Sequence, residues 1–295
     1  MCGLAGLVIG KKNRTKEDFD KIRSDFSDLM VATQVRGRHA TGAFVLDTKS
    51  GITYFKAPVP AEKMVKAQGW ADLLDLIGEN TVAIVGHVRY ATHGSPEVNS
   101  NNHPIVMDNV IGVHNGVISN NCELCDKYPY EEEVDSAAIF STIEAYAKKS
   151  RVSTESIAKA LPELEGNFAI MLADRRRPNS IFIARDGSRP IVYHKNLEEK
   201  LLWLSSTGAI LREGLNKTVF PTMLPPYSIA RLSVAHAGKA EIKTTSWWEA
   251  PRIKEVTKIS YAELAAEVKD PQALEIFAKL DALMEDEYAE ESEYD

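Results

Sequence analysis

The chain has 295 residues, with 44% hydrophobic and 26% charged side chains, a composition typical of a globular protein with a substantial core. Its formal net charge is −7, and residues 285–295 hold seven acidic side chains without a Lys or Arg, so the remainder is close to neutral. Because no basic field is present to attract phosphates, the composition excludes nucleic acid as an expected partner.

The sequence also predicts a cytoplasmic protein that does not enter a membrane. No stretch approaches the roughly 20 apolar residues of a membrane span. The basic residues of 11–14 follow the apolar start, whereas in a signal peptide they precede it. The three cysteines, Cys2, Cys122 and Cys125, are too few for the disulfide framework of a secreted protein, and a reducing compartment suits a working thiol.

Cys2 precedes an apolar, glycine-punctuated run over residues 3–10, which predicts a strand buried on both faces. Removal of Met1, which is usual before a residue as small as cysteine, would leave Cys2 with a thiol and a free α-amine. The α-amine titrates near pH 7.7 to 8.0 and a free thiol near 8.5, so the amine can accept the thiol proton. The alternative is a buried cysteine that packs as a small hydrophobic residue.

The next elements are a helix, a hairpin and a further helical stretch. A helix is predicted over residues 16–35, with Thr15 as its cap, because apolar residues recur at three- and four-residue spacing. Strands at 43–46 and 52–55 form the hairpin, and residues 60–77 return to helical spacing. The apolar residues of the first helix are Phe19, Ile22, Phe26, Leu29 and Met30.

A strand predicted over 81–90 ends in polar, glycine-containing residues from 91 to 103, a position where functional sites are commonly built. Apolar runs at 110–113 and 117–118 flank His114–Gly116. Because Asn-Gly between apolar runs is a strong hairpin signal, this pattern predicts strand, turn and strand.

The second half of the chain contains helices followed by several short strands. Helices are predicted at 131–149 and 154–161, and the blocks of helices and strands indicate an α+β fold with antiparallel sheets. Past about residue 245, short helices are predicted over 260–284, and the charged residues 285–295 are expected to be disordered. The strands are predicted at 167–173, 180–184, 191–194, 201–205 and 228–232.

Three further motifs join Cys2-Gly3, at Arg36–Gly42, Gly86–Gly94 and Val113–Ile118. In this order and spacing, the chain resembles class II glutamine amidotransferases, whose glutaminase domains begin with a nucleophilic cysteine. The resemblance extends to about residue 235 and is strongest to the glutaminase domains of glucosamine-6-phosphate synthase and amidophosphoribosyltransferase.

The resemblance implies a four-layer αββα N-terminal-nucleophile fold with two stacked antiparallel sheets. The glutaminase domain would cover residues 2–245, and residues 246–295 would form a C-terminal extension. It further implies that Cys2 attacks the side-chain amide of L-glutamine, forms a γ-glutamyl thioester and releases ammonia. The Asn115 side-chain amide and the Gly116 N–H would hold the oxyanion of the tetrahedral intermediate.

The resemblance also assigns substrate-binding residues. Arg89 would bind the substrate α-carboxylate, a task that suits a bidentate guanidinium, and Asp135 would bind the α-ammonium. Thr92 and His93 would line the same pocket, and Arg36 would support Cys2 from behind. Taken alone, Arg89 fits a surface ion pair and Asp135 an ordinary acid in the first turn of a helix.

The sequence departs from the family in two respects. His39 and Ala40 stand where the family motif has Asp and Ser or Ala, which implies a different hydrogen bond near the nucleophile. Only about 50 residues follow the glutaminase region, so we expect a separate ammonia-accepting synthase protein as partner, and a homo-oligomer stays open. No phosphate loop is present, and we expect no cofactor.

Metal binding and other functions were weighed beside this interpretation. The i, i+4 histidine pair of a metallohydrolase is missing, and Cys122 with Cys125 makes only half a zinc site, so no metal is expected and both cysteines are expected to pack. The alternative functions are hydrolysis of another γ-glutamyl or small amide, and a catalytically silent regulatory or scaffold subunit. The histidines considered as ligands were His87, His93, His103 and His114.

Overall fold

The apolar run after Cys2 forms the strand β1 (Gly3–Ile9), in which every residue is buried. This computed structural model describes residues 2–147, 150–239 and 242–248, which belong to a compact unit, Met1–Trp248. The other elements in chain order are α1 (Lys16–Thr33), β2 (Ala40–Asp47), β3 (Gly51–Ala57), α2 (Ala61–Met64), α3 (Gln68–Asp75), β4 (Thr81–Arg89), β5 (Ile105–Val106), β6 (Val110–Ile118), α4 (Asn121–Lys127), α5 (Asp135–Ala147), α6 (Thr154–Ala160), β7 (Gly166–Asp174), β8 (Ile181–Arg185), β9 (Val192–Asn196), β10 (Leu201–Ser205), α7 (Gly208–Leu215), β11 (Thr222–Met223), β12 (Ser228–Leu232) and β13 (Thr245–Ser246).

Two antiparallel sheets pack face to face between layers of helices. The first has the strand order β11-β9-β10-β1-β4-β2-β3, and the second has the order β13-β12-β8-β7-β6-β5. Leu4 of β1 and Val113 of β6 meet in the core between the sheets. The outer face of the first sheet packs on α1, α3 and α7, and that of the second packs on α5 and α6. The predicted α+β class with two stacked antiparallel sheets in an αββα arrangement is confirmed.

The helix predicted at residues 16–35 is confirmed as α1. The Thr15 hydroxyl accepts the Asp18 N–H at 3.3 Å and the Asp18 carboxylate accepts the Thr15 N–H at 2.8 Å, which forms a capping box. All five apolar residues named for this helix are buried against the first sheet. Each such side chain contributes about 1.5 to 3 kcal/mol when fully buried, so packing holds the helix in place.

Several predicted boundaries differ from the structure. The predicted hairpin and the strands at 201–205 and 228–232 are confirmed, but α5 begins at Asp135 and not at residue 131. The acidic residues 131–133 bring no apolar side chain to the core, and the helix begins where buried residues begin. Two helices, α4 and α7, were not predicted. The predictions for 260–284 and 285–295 lie outside the described residues.

The turn predicted at His114–Gly116 is wrong. β6 runs without a break, and each of its residues pairs with one of β7, with Asn115 opposite Ala169 and Gly116 opposite Phe168. An Asn-Gly hairpin turn needs positive φ at both central residues, whereas here only Gly116 has one, at 157°. Pairing with a nine-residue strand thus overrides the local turn signal.

Gly116→Ala is expected to lower the free energy of unfolding by about 3 kcal/mol or more, because a Cβ there would lie 1.9 Å from the Asn167 carbonyl oxygen. Gly51→Ala is the matched control, since Gly51 also has positive φ, 88°, but nothing lies within 4 Å of its Cβ position. The control should lose only about 1 to 2 kcal/mol. Urea unfolding measures both, and equal losses would contradict the steric argument.

Candidate active site

The Cys2 thiol lies where β1 begins and β4 ends, because Gly3 is paired with Val88 in the antiparallel ladder. The Cys2 side chain is half-buried, and its Sγ accepts the Tyr90 N–H at 3.4 Å and donates to the Tyr90 carbonyl at 3.7 Å. The Arg36 Nε–H donates to the Cys2 carbonyl oxygen at 2.7 Å. Arg36 therefore fixes the backbone of Cys2, and the Tyr90 backbone fixes its sulfur.

Burial raises the pKa of the Cys2 thiol, while the Tyr90 N–H and the Arg89 charge act in the opposite direction. The charge of Asp135 raises the pKa further, which indicates that Cys2, Arg89 and Asp135 share one electrostatic environment. In the described part of the chain, the hydrogen bonds of the sulfur go to the Tyr90 backbone. A protonated thiol in this position needs a base before it can act as a nucleophile.

Asn115 lies on the face of the second sheet that looks toward Cys2. Side chains alternate along a strand, so Asn115 points to the same side as Val113, into the space between the sheets, and Cys2 shares its face with Leu4. Asn115 is 1% exposed, and its Nδ2 has no hydrogen-bond partner among the described residues. A buried amide donor without a partner is rare in proteins, and it is free to bind a developing negative charge.

The buried Arg89 guanidinium holds the chain segment that follows β4. Its NH1 donates to Asn102 Oδ1 at 2.7 Å, and its NH2 donates to the carbonyl oxygens of His93 and Gly94 at 2.5 and 2.9 Å. These contacts use three of the five N–H donors of the side chain. In this arrangement the loop is folded around a cation close to the thiol.

Asp135 is the first residue of α5 and is 7% exposed. Its Oδ2 accepts the Ile118 N–H at 2.8 Å, which ties the start of α5 to the end of β6. A buried carboxylate beside Arg89 gives the site one charge of each sign. The described contacts leave Oδ1 available for a further donor.

Comparison with known proteins identifies the region. The family model described as a glutamine amidotransferase domain matches residues 87–213. This stretch of the chain is therefore similar to a glutamine amidotransferase domain. The predicted resemblance to class II members of this family is confirmed.

Curated proteins that the chain is similar to include glutamine–fructose-6-phosphate aminotransferases (isomerizing). That of Vibrio parahaemolyticus is 28% identical over 215 residues, and that of Escherichia coli K12 is 27% identical over 212 residues. Each alignment covers 68% of this chain and 31% of the relative. The chain thus spans about a third of the length of these relatives.

A solved structure shares the fold. The glutamine phosphoribosylpyrophosphate amidotransferase of B. subtilis superimposes with a TM-score of 0.62 at 16% sequence identity. The match covers 84% of this chain and 50% of that one. At this identity, the likeness bears on the fold alone.

The other predicted site residues contact the Cys2 region less directly. Thr92 and His93 lie on the exposed loop after β4, and it is the His93 backbone carbonyl that contacts Arg89. Their predicted place in the substrate pocket stays a prediction. Cys122 is exposed on α4, so its predicted packing is wrong, whereas Cys125 is half-buried. Among the described residues, no cluster of His, Cys, Asp or Glu could hold a metal ion, and no helix is long and apolar enough to span a membrane.

Sequence interpretation missed the side chains that hold the polar loop. The Nζ of Lys56 on β3 donates to the carbonyl oxygens of Asn102 and Pro104 at 2.7 and 2.9 Å, and burial lowers the pKa of Lys56 to about 8. Asn102 in turn accepts from Arg89. The run of polar residues after the buried strand β4 indicated a structured loop in the sequence. The sequence did not indicate that β3, which carries Lys56, lies next to that loop.

Three histidines near Arg89, namely His87, His103 and His114, are buried. His87 stacks on His103 with ring centroids 4.0 Å apart, and the His87 Nε2 lies 3.0 Å from the His114 carbonyl oxygen. Burial lowers the pKa of His87 to about 3, that of His103 well below its ordinary value, and that of His114 in the same direction. All three side chains are therefore neutral at pH 7.

The stability of the domain is expected to fall as pH drops from 6.5 toward 4. In that window an unfolded histidine binds a proton that the folded one does not, which costs up to about 1.4 kcal/mol per pH unit for each group. His103→Phe keeps a ring against His87 and removes one titrating group, so it should flatten the dependence. Urea unfolding at several pH values measures the slope. An unchanged slope in the variant would contradict the assignment of His103.

Proposed function

We propose that this domain hydrolyses L-glutamine to L-glutamate and ammonia, with Cys2 as the nucleophile. The observation that carries the proposal is a buried amide donor, Asn115 Nδ2, that lacks a protein partner among the described residues and lies on the inner face of one sheet, while the half-buried Cys2 thiol lies at the start of β1 in the other sheet. Acyl transfer needs these two components, an attacking group and a donor aimed at the developing oxyanion.

In the proposed reaction, removal of Met1 exposes the α-amine of Cys2. The amine takes the thiol proton, directly or through a water, and Sγ attacks the side-chain carbonyl carbon of glutamine. The C–N bond then breaks, the proton passes to the leaving nitrogen, and ammonia departs from a γ-glutamyl thioester. A water attacks the thioester next, which releases glutamate and returns the proton to the thiol. The raised pKa of Cys2 supports the need for such a base.

The oxyanion of each tetrahedral intermediate would be held by Asn115 Nδ2–H and the Gly116 N–H. These residues are neighbours on β6, a strand fixed by continuous pairing with β7. A rigid strand keeps the donors in place before the charge develops, which is the condition under which such donors accelerate a reaction.

Arg89 and Asp135 would bind the two charged groups of the free amino acid. Two N–H donors of the guanidinium and one carboxylate oxygen are not used by the described contacts. A substrate without both charges would leave a buried charge unmatched, so free glutamine should be preferred over other γ-glutamyl amides.

We further propose that the glutaminase domain covers residues 2–245 and passes its ammonia to a separate synthase protein in the cytoplasm. The curated relatives support an acceptor, since the matched region is only 31% of their length and they are named as aminotransferases. Hydrolysis should then be slow in isolation and faster when an acceptor is bound. Affinity capture with the full chain, followed by glutaminase assays of each captured complex, tests this step.

The glutaminase proposal is tested with the purified protein and three substrates, L-glutamine, L-asparagine and a γ-glutamyl dipeptide. Glutamate release should be largest from glutamine, and intact-protein mass spectrometry should show loss of Met1 and a glutamyl adduct on Cys2. Preference for the dipeptide would move the function to another γ-glutamyl amide. A retained Met1 in an active protein would exclude the proposed base.

A further inference from the structure

His39 contacts three consecutive residues near the thiol, the last residue of β4 and the two that follow it. Its backbone N–H donates to the Arg89 carbonyl oxygen at 3.0 Å. Its ring stacks on Tyr90 with centroids 5.1 Å apart, and its Nδ1 accepts the Ala91 N–H at 2.9 Å. One residue thus holds the backbone on both sides of the peptide that touches Cys2.

Only Tyr90 lies between His39 and the sulfur in the series of contacts that joins them. The Tyr90 N–H donates to Cys2 Sγ and the Tyr90 carbonyl accepts from it, so the direction of this one residue's backbone sets the hydrogen bonds of the thiol. Tyr90 is 51% exposed and lies just past the last pair of the ladder between β2 and β4, so restraint of its backbone has to come from contacts outside that ladder. The His39 ring, which stacks on the Tyr90 side chain, and the His39 Nδ1, which accepts the Ala91 N–H, supply that restraint.

We infer that His39 is the positioning residue for the Cys2 nucleophile, acting through Tyr90 and Ala91. The inference rests on the proposed function for its effect on turnover, and on the geometry alone for its effect on the thiol. The residue touches neither the sulfur nor a substrate group in the described contacts, so it is not a catalytic residue.

Histidine suits this place for a reason of charge. The Ala91 N–H is a donor, so Nδ1 must present its lone pair, and the neutral ring carries its proton on Nε2. The family motif has Asp at this position. A carboxylate would also accept the N–H, but it would add a negative charge to the loop that contacts the thiol, which would oppose formation of the thiolate. A neutral acceptor holds the loop without that penalty.

Two variants separate the acceptor from the ring. His39→Phe keeps the stacking surface and loses the acceptor, whereas His39→Asn keeps an oxygen near the place of Nδ1. Alkylation of Cys2 by iodoacetamide in the full chain, followed by peptide mass spectrometry with exposed Cys122 as internal reference, reports on the thiol without any substrate. We expect about a five- to tenfold lower Cys2 rate in His39→Phe, from loss of one hydrogen bond, and recovery to within about twofold in His39→Asn.

Turnover should follow the same order. In His39→Phe, kcat for glutamine should fall by a similar factor while KM stays within about twofold. A rise in KM at unchanged kcat would overturn the inference, because His39 would then act on substrate binding. Equal alkylation rates in the wild type and His39→Phe, or equal losses in both variants, would also overturn it.

A third measurement is made on the wild type. NMR of ring-¹⁵N-labelled histidine in the wild type, with His39→Asn used only to assign the missing signal, reports the tautomer of His39. The Nε2–H form is expected, and the Nδ1–H form would overturn the inference. If the wild type fails to hydrolyse glutamine, the proposed function fails, while alkylation and the tautomer still decide the role of His39.

Discussion

Cys2→Ala is expected to lower glutamine hydrolysis by at least about a thousandfold, because the reaction loses the atom that forms the thioester. Cys2→Ser is the closer comparison, since it keeps the size and the N-terminal amine but replaces the sulfur by a weaker nucleophile. The steady-state rate of glutamate release measures both variants. The residual rate in Cys2→Ala reports what binding and the oxyanion donors contribute without a nucleophile.

Two controls keep this result specific to the first thiol. Cys125→Ala removes a half-buried thiol on α4 and should leave turnover within about twofold, because the described hydrogen bond of this thiol goes to the Tyr130 carbonyl and to none of the proposed site residues. A glutamine-analogue diazo-ketone should label Cys2 in the wild type and label nothing in Cys2→Ala. Unchanged glutamate release in Cys2→Ala would refute the glutaminase mechanism, and unchanged cellular function would favour a scaffold role.

Asn115→Ala is expected to lower kcat for glutamine by about 10² to 10³, equivalent to about 3 to 4 kcal/mol of lost transition-state stabilisation. KM should change little, because the proposed oxyanion contact forms after substrate binding. The wild-type amide has no protein partner among the described residues, so its removal breaks no hydrogen bond of the fold. The loss in the free energy of unfolding should therefore be smaller than the increase in the activation free energy of glutamine hydrolysis.

The control for Asn115 is a change of the same type at an exposed site. Asn13 is exposed and lies beyond the end of β1 that is opposite to Cys2. Asn13→Ala should therefore alter neither kcat nor KM. Alkylation of Cys2 should proceed at the wild-type rate in Asn115→Ala, since the variant leaves the Tyr90 contacts of the sulfur in place. A loss of stability as large as the loss of activity would instead assign Asn115 a structural role.

Local patterns predicted much of the fold. The spacing of Phe26, Leu29 and their neighbours gave α1 with its Thr15 cap, because one helical face is buried and the other is not. The hairpin of β2 and β3 and the α+β class with antiparallel sheets followed from runs of strand residues, whereas the two stacked sheets were implied by the family resemblance. The failures came where partners distant in sequence decided the outcome. α7 was missed because its apolar face is short and is completed by packing on α1.

Some residues of the candidate site were also predicted from the sequence, and others were found only in the structure. Cys2 was named from its position at the start of a buried strand, and the family resemblance named Arg89, Asn115 and Asp135, whose residue types suit oxyanion binding and recognition of charged groups. They did not reveal Lys56 or Asn102, whose roles depend on which strand lies beside the polar loop. His39 was visible only as a departure from the family motif, and its contact with Ala91 gives that departure a physical meaning.

The sequence by itself determined most of the helices and strands and which reactive groups the chain carries, since periodicity and side-chain chemistry are local properties. Only the tertiary structure decided that β6 passes straight through Asn115 and Gly116 and that the Asn115 amide is left without a partner. Hydrogen bonding of a buried donor is settled by atoms from strands far apart in the chain. Two sheets must therefore pack before a thiol and an amide become a site.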